Sequence, residues 1–108
     1  MATRDIVSRA LVAIDAFDDL FQKAPRLPMS RDRRVDDTAL RDAITELGDA
    51  VRAAVPGPRS ATRVALAELE ELVRRAPRVA LGGGVRLSSG TVYEVLDRLV
   101  EALPRDVR

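Results

Sequence analysis

Six arginines stand around two short turns, Arg26, Arg31, Arg33 and Arg34 at the first and Arg78 and Arg86 at the second. Guanidinium forks suit carboxylates and phosphates, which they grip through paired N–H donors. As a functional cluster they would form a patch for phosphate or for an acidic partner. The plainer reading is charge on an exposed strand edge, where it blunts edge-to-edge pairing. Aromatic residues make up only 3% of the chain and none is interleaved with the arginines, so bases would find no stacking platform. The expected partner is therefore an acidic protein surface, such as a helix or coiled coil, rather than nucleic acid. Two acidic clusters, Asp15 with Asp18 and Asp19, and Glu68 with Glu70 and Glu71, could offer oxygen ligands to a divalent cation. The i,i+4 spacings of Glu70 with Arg74 and Glu71 with Arg75 favour a solvated helix face instead. Gly82, Gly83 and Gly84 precede Ser88, Ser89, Gly90 and Thr91. They lack the spacing and the lysine of a phosphate-binding P-loop and read as a hairpin turn. The chain has no histidine and no cysteine. That removes the commonest general base and any thiolate ligand. No nucleophile–base arrangement is visible, so neither catalysis, a metal nor a cofactor is expected.

The elements that must hold these residues follow from the spacing of apolar positions. Leu66, Leu69, Leu72, Val73 and Ala76 recur at helical steps, and Pro77 stops that helix. Arg78–Leu81 and Val85–Leu87 read as short strands around the three glycines. Ser88 or Ser89 then caps a helix carrying Val92, Val95, Leu96, Leu99 and Leu103 on one face, with Pro104 ending it. A shift of 52 residues carries the earlier chain onto this plan. Ala24-Pro25-Arg26 falls on Ala76-Pro77-Arg78, Phe17, Leu20 and Phe21 on Leu69, Leu72 and Val73, and Leu40, Ile44, Leu47 and Val51 on Val92, Leu96, Leu99 and Leu103. No gap is needed from Val12 to Arg52, although only about nine positions are identical. Asp36 falls on Ser88 as the candidate cap, and Asp36 or Asp37 is expected to cap the second helix. The expected fold class is α+β, mainly α: two tandem helix–β-hairpin–helix units packed with pseudo-twofold symmetry. Unit one spans 3–55, the linker 56–59 and unit two 60–104, all in one domain, 1–108. The two hairpins are expected to pair across the pseudo-twofold into one small antiparallel sheet, since a lone two-stranded ribbon is marginal.

Smaller expectations go with this plan. Thr3 is the better cap for the first helix. The turn from Met29 to Arg34 lacks glycine and should be looser than the second. Gly48 sits inside the second helix at a cost of about 1 kcal/mol relative to alanine, which a close helix crossing would explain. Pro56-Gly57-Pro58 separates the units, and Ser60 or Thr62 caps the third helix. The tail from Arg105 to Arg108 should fray. Phe17, Leu20, Leu47, Leu69, Leu72, Leu96 and Leu99 should be buried between the units.

Composition bounds the function. With 108 residues, 46% hydrophobic content, 32% charged content and a net charge of +1, the chain reads as one modest globular core with no strong field toward nucleic acid or anionic membrane. No run is long enough to span a bilayer, and no signal-peptide pattern opens the chain. A cytoplasmic location is expected, with recruitment to a septum or membrane by a partner as an extension.

Two resemblances bear on function. Gly90-Thr91-Val92-Tyr93 with Leu96, Arg98 and Leu99 resembles the recognition helix of PadR-type winged-helix repressors. It implies a small nucleic-acid-binding transcriptional regulator, but Glu94, Asp97 and Glu101 on the outward face would repel phosphates. The second unit, through Leu69–Val73, Ala76-Pro77, Val79, Leu81, Val85, Leu87, Val95-Leu96-Asp97, Leu99 and Ala102-Leu103-Pro104, looks like the N-terminal module of septal DivIVA-like (SepIVA-type) coiled-coil proteins of actinobacteria. The first unit matches more loosely. That resemblance implies scaffolding in bacterial cell division or envelope growth. In that family the module precedes a long coiled coil, and this chain has a second module or its end at that place. The reading reached is a non-catalytic adaptor or scaffold with a protein partner. One chain is expected to supply both halves of the sheet, with homodimerisation through remaining apolar surface as the alternative.

Overall fold

The computed structural model describes residues 2–80 and 83–107. Leu81 and Gly82, expected to end a strand and open the glycine turn, lie outside them. The order is α1 (Ala2–Lys23), β1 (Asp32–Val35), α2 (Asp37–Ala54), α3 (Ala61–Arg75), β2 (Val85–Ser88) and α4 (Ser89–Asp106). The architecture is thus mainly helical α+β, with four helices and one two-stranded antiparallel sheet among the described residues.

Each helix runs against its neighbours in opposite direction, as cross-pairs show. Arg9 of α1 meets Glu46 of α2, Arg52 of α2 meets Glu70 of α3, and Glu68 of α3 meets Arg98 of α4. Phe21 near the end of α1 meets Tyr93 near the start of α4, edge to face at 5.5 Å. The sheet therefore closes the end of the bundle where α1 and α3 stop and α2 and α4 start. The body is elongated, 46 × 21 × 18 Å. Phe17, Leu47, Leu69 and Leu99 are wholly buried along its axis, and Leu96 is nearly so. Leu20 and Leu72 are only half-buried. They stand 52 residues apart, each on the outer flank of its helical stripe.

β1 and β2 come from different halves of the chain. They pair Asp32 with Ser88, Arg33 with Leu87, Arg34 with Arg86 and Val35 with Val85. The hairpins within each half are minimal. Arg26 bridges Arg33 and Arg78 bridges Val85, each as a single pair. The Leu27 amide donates to Asp32 O and the Arg34 amide to Pro25 O, both at 2.9 Å. The Val79 amide donates to Gly84 O and the Arg86 amide to Pro77 O, at 3.0 and 2.8 Å. Each bond of the first set recurs 52 residues later in the second. Proline at 25, 28 and 77 removes donors and keeps these arms short. The first turn is made without glycine by Met29, fully exposed at φ 57°, whereas the second uses Gly83 and Gly84 at positive φ.

The caps follow the sequence in part. The Ala39 amide donates to Asp36 Oδ2 and the Arg63 amide to Ser60 Oγ. α1 starts at Ala2, ahead of Thr3. Ser88 is the N-cap of α4 by conformation, but its side chain makes no capping bond. Pro104 does not end α4, which runs two residues further to Asp106 even though a proline there has no N–H to donate to the carbonyl four residues back. Nor does the tail fray through Asp106. Its carboxylate accepts from the Thr62 amide at 2.8 Å and from the buried Thr62 hydroxyl at 2.6 Å. These bonds hold the Asp106 carboxyl below the ordinary aspartate pKa. Gly48 is explained differently from expected: the Arg52–Glu70 ion pair lies over it, so that a Cβ would stand 2.6 Å from Arg52 Nη2.

Candidate functional site

The six arginines converge on the sheet end, but they do not act alike. Successive strand residues face opposite sides. Val35, Val85 and Leu87 point into the core, which puts Arg34 and Arg86 on the solvent side, directly opposed across the ladder. Like charges in that position repel. Arg86 is compensated by Asp32, which accepts from its Nε, and by Ser30 Oγ at 3.4 Å. Arg78 pairs with Asp37 at 3.2 Å. Among the described residues, Arg26, Arg31 and Arg34 have no ion-pair partner. Arg31 is held by its backbone, since the Ser89 hydroxyl donates to its carbonyl at 2.6 Å; that bond ties the first turn to the start of α4.

Arg33 belongs to the interior of this end. Its Nη1 donates to Gln22 O at 2.7 Å and to Ala24 O at 2.8 Å, and its guanidinium lies 5.7 Å from the centre of the Phe21 ring. It thus satisfies carbonyls left over at the end of α1 and complements the negative end of that helix. A partner does not meet this side chain on the sheet's solvent face. The signal was present in the sequence: the 52-residue shift sets Arg33 on Val85, an inward position, and alternation from Val35 gives the same side.

A second concavity, a groove of about 550 Å³, runs between α3 and the start of α4. Leu72, Pro77, Val92 and Val95 line it, and its rim carries Glu68, Glu71 and Glu94 against Arg75, Arg86 and Arg98. Those rim charges largely satisfy one another. Glu71 contacts Arg74 and Arg75, and Glu68 contacts Arg98. Arg74 holds the Glu71 carboxyl below its ordinary pKa, and Glu68 raises that of Arg98. The groove consequently offers shape but little unbalanced charge.

No family model, curated protein or solved structure matches the chain.

The acidic clusters resolve into pairs. Asp19 meets Lys23, Asp18 accepts from Gln22, and Glu70 reaches across to Arg52 rather than along its own helix to Arg74. No group of three ligating side chains stands together among the described residues. On α4, Glu94, Asp97 and Glu101 are exposed. Sequence reasoning missed the polar ties between elements, among them Thr62 with Asp106, Arg52 with Glu70, and Arg63 Nη1 donating to Val55 O at 3.0 Å and Pro56 O at 3.1 Å. No local spacing signals them, because each joins residues on different elements. No helix among the described residues is long and apolar enough to cross a membrane.

Proposed function

We propose that the chain is a non-catalytic protein-interaction module, built from two copies of one helix–hairpin–helix unit related by a pseudo-twofold axis. The recurrence of backbone bonds at a spacing of 52 residues supports the duplication, as does a ladder in which the equivalent residues Arg34 and Arg86 pair with each other. The binding surface is the solvent side of the sheet end, and the partner is an acidic segment of another protein, a helix or coiled coil. The observation that carries this is local charge. Six arginines share this end with Asp32, Asp36 and Asp37, and Arg26, Arg31 and Arg34 lack ion-pair partners among the described residues. Complementary charge of this kind steers encounter and fixes orientation. One chain supplies both halves of the sheet, so a second copy is not required. The resemblance to DivIVA-like septal modules supplies the biological setting, a scaffold of cell division or envelope growth.

Sedimentation of the isolated chain and anisotropy titration of an acidic coiled-coil peptide test this together. A folded monomer that binds the peptide, with affinity falling as salt rises, is expected. Charge reversal at Arg26, Arg31 and Arg34 should abolish binding and leave the melting temperature near that of the parent. If the reversed protein still binds, the surface lies elsewhere.

A further inference from the structure

The two opposed arginines of the sheet differ in one respect. Arg86 Nε donates to the Asp32 carboxylate. Arg34, on the same face, has no carboxylate partner among the described residues; its Nε, like that of Arg33, is buried without an acceptor. The cause is legible in the repeat. Arg34 corresponds to Arg86, and the residue that corresponds to Asp32 is Gly84. One arginine therefore meets a carboxylate and its counterpart meets a glycine.

Position 84 cannot supply the missing group from within. Gly84 has φ +84°, and a Cβ there would lie 2.9 Å from Val35 O and 3.0 Å from Arg34 Cγ. The neighbouring carboxylates are already engaged. Asp32 serves Arg86, Asp36 accepts from the Ala39 amide, and Asp37 meets Arg41 and Arg78.

We propose that Arg34 is the receptor for one carboxylate brought by an acidic segment of a partner protein, held through the outer Nη donors of its guanidinium, since its Nε is buried. This rests on the reading of the arginine face as the partner surface. A carboxylate matches the paired donors of a guanidinium. Arg26 and Arg31, exposed and without ion pairs among the described residues, add attraction without a defined seat. The face thus carries one arginine that has its carboxylate and one that lacks it.

The test uses the full chain and a fluorescein-labelled glutamate-rich peptide at low ionic strength. Arg34→Gln should weaken binding about tenfold, a difference of about 1.4 kcal/mol, and Arg26→Gln by about threefold or less. Asp32→Asn should strengthen binding, because it opens Arg86 as a second receptor. The Arg34 Nε–H resonance should move as the parent protein is titrated, a readout that does not depend on any variant folding. Equal losses for Arg34→Gln and Arg26→Gln, or an unmoved Arg34 resonance while peptide binds, would overturn the specific site and leave the broader reading standing. Failure of the parent protein to bind the peptide would remove both. Tighter, Arg34-dependent binding of duplex DNA would replace the carboxylate with phosphate and overturn the proposal.

Discussion

Arg33 and Arg34 are adjacent and face opposite ways, so two similar side chains meet different physics. Arg33 is spent on the carbonyls of Gln22 and Ala24 and on the Phe21 ring. Hydrogen bonds from a charged donor contribute about 1.5–3 kcal/mol. Arg33→Ala should therefore lower stability by roughly that amount in urea unfolding, whereas Arg31→Ala, exposed, should stay within about 0.5 kcal/mol of the parent. Gly48 gives a prediction of the other sign. A methyl there meets only the movable ends of Arg52 and Glu70, and alanine is favoured in a helix by about 1 kcal/mol. A half-exposed ion pair is worth about 0–1 kcal/mol. Gly48→Ala should raise the melting temperature slightly while Arg52 swings away from Glu70.

At the scale of elements, burial separates residues that the sequence treats alike. Leu99 is wholly buried and Leu72 lines the open groove. Leu99→Ala should cost about 2–5 kcal/mol, and Leu72→Ala about half as much or less, which chemical denaturation can compare directly. The tie between α4 and α3 gives a pH dependence. The folded-state pKa of Asp106 lies below its unfolded value, so its contribution is present at neutral pH. That contribution fades as pH falls below about 3.9, the ordinary aspartate value, and through the lower folded one. Asp106→Asn should melt below the parent at neutral pH, and the gap should close in acid. The helices, two of the caps and the pairing of strands from different halves were legible, because apolar spacing and turn residues are local signals that repeat. The inward turn of Arg33 was overlooked because charge drew attention before strand alternation did. Leu20 and Leu72 were overrated because helical spacing marks a face and not the depth to which a neighbour covers its flank.

On the scale of the whole molecule, neither half completes its own sheet. Among the described residues β1 finds its ladder partner only in β2, and α2 and α3 are joined by Arg52–Glu70 and by Arg63 on the end of α2. Fragments cut at Gly57 should each show weak helicity by circular dichroism, and mixing them should restore the spectrum of the intact chain. A fragment that folds fully alone would contradict this interdependence.

The antiparallel course of the helices also brings the start of α1 and the end of α4 to one end, where Arg4, Val7 and Leu11 approach Pro104 and Val107. The arginine face is at the other, about 33 Å away by the rise of a 22-residue helix. Force that pulls the start of α1 away from the end of α4 would thus load the seam between these two helices in peeling geometry, one row of side chains at a time, and would reach the β1–β2 ladder last. In an optical trap the chain should open at low force and in steps, with the sheet as the final barrier.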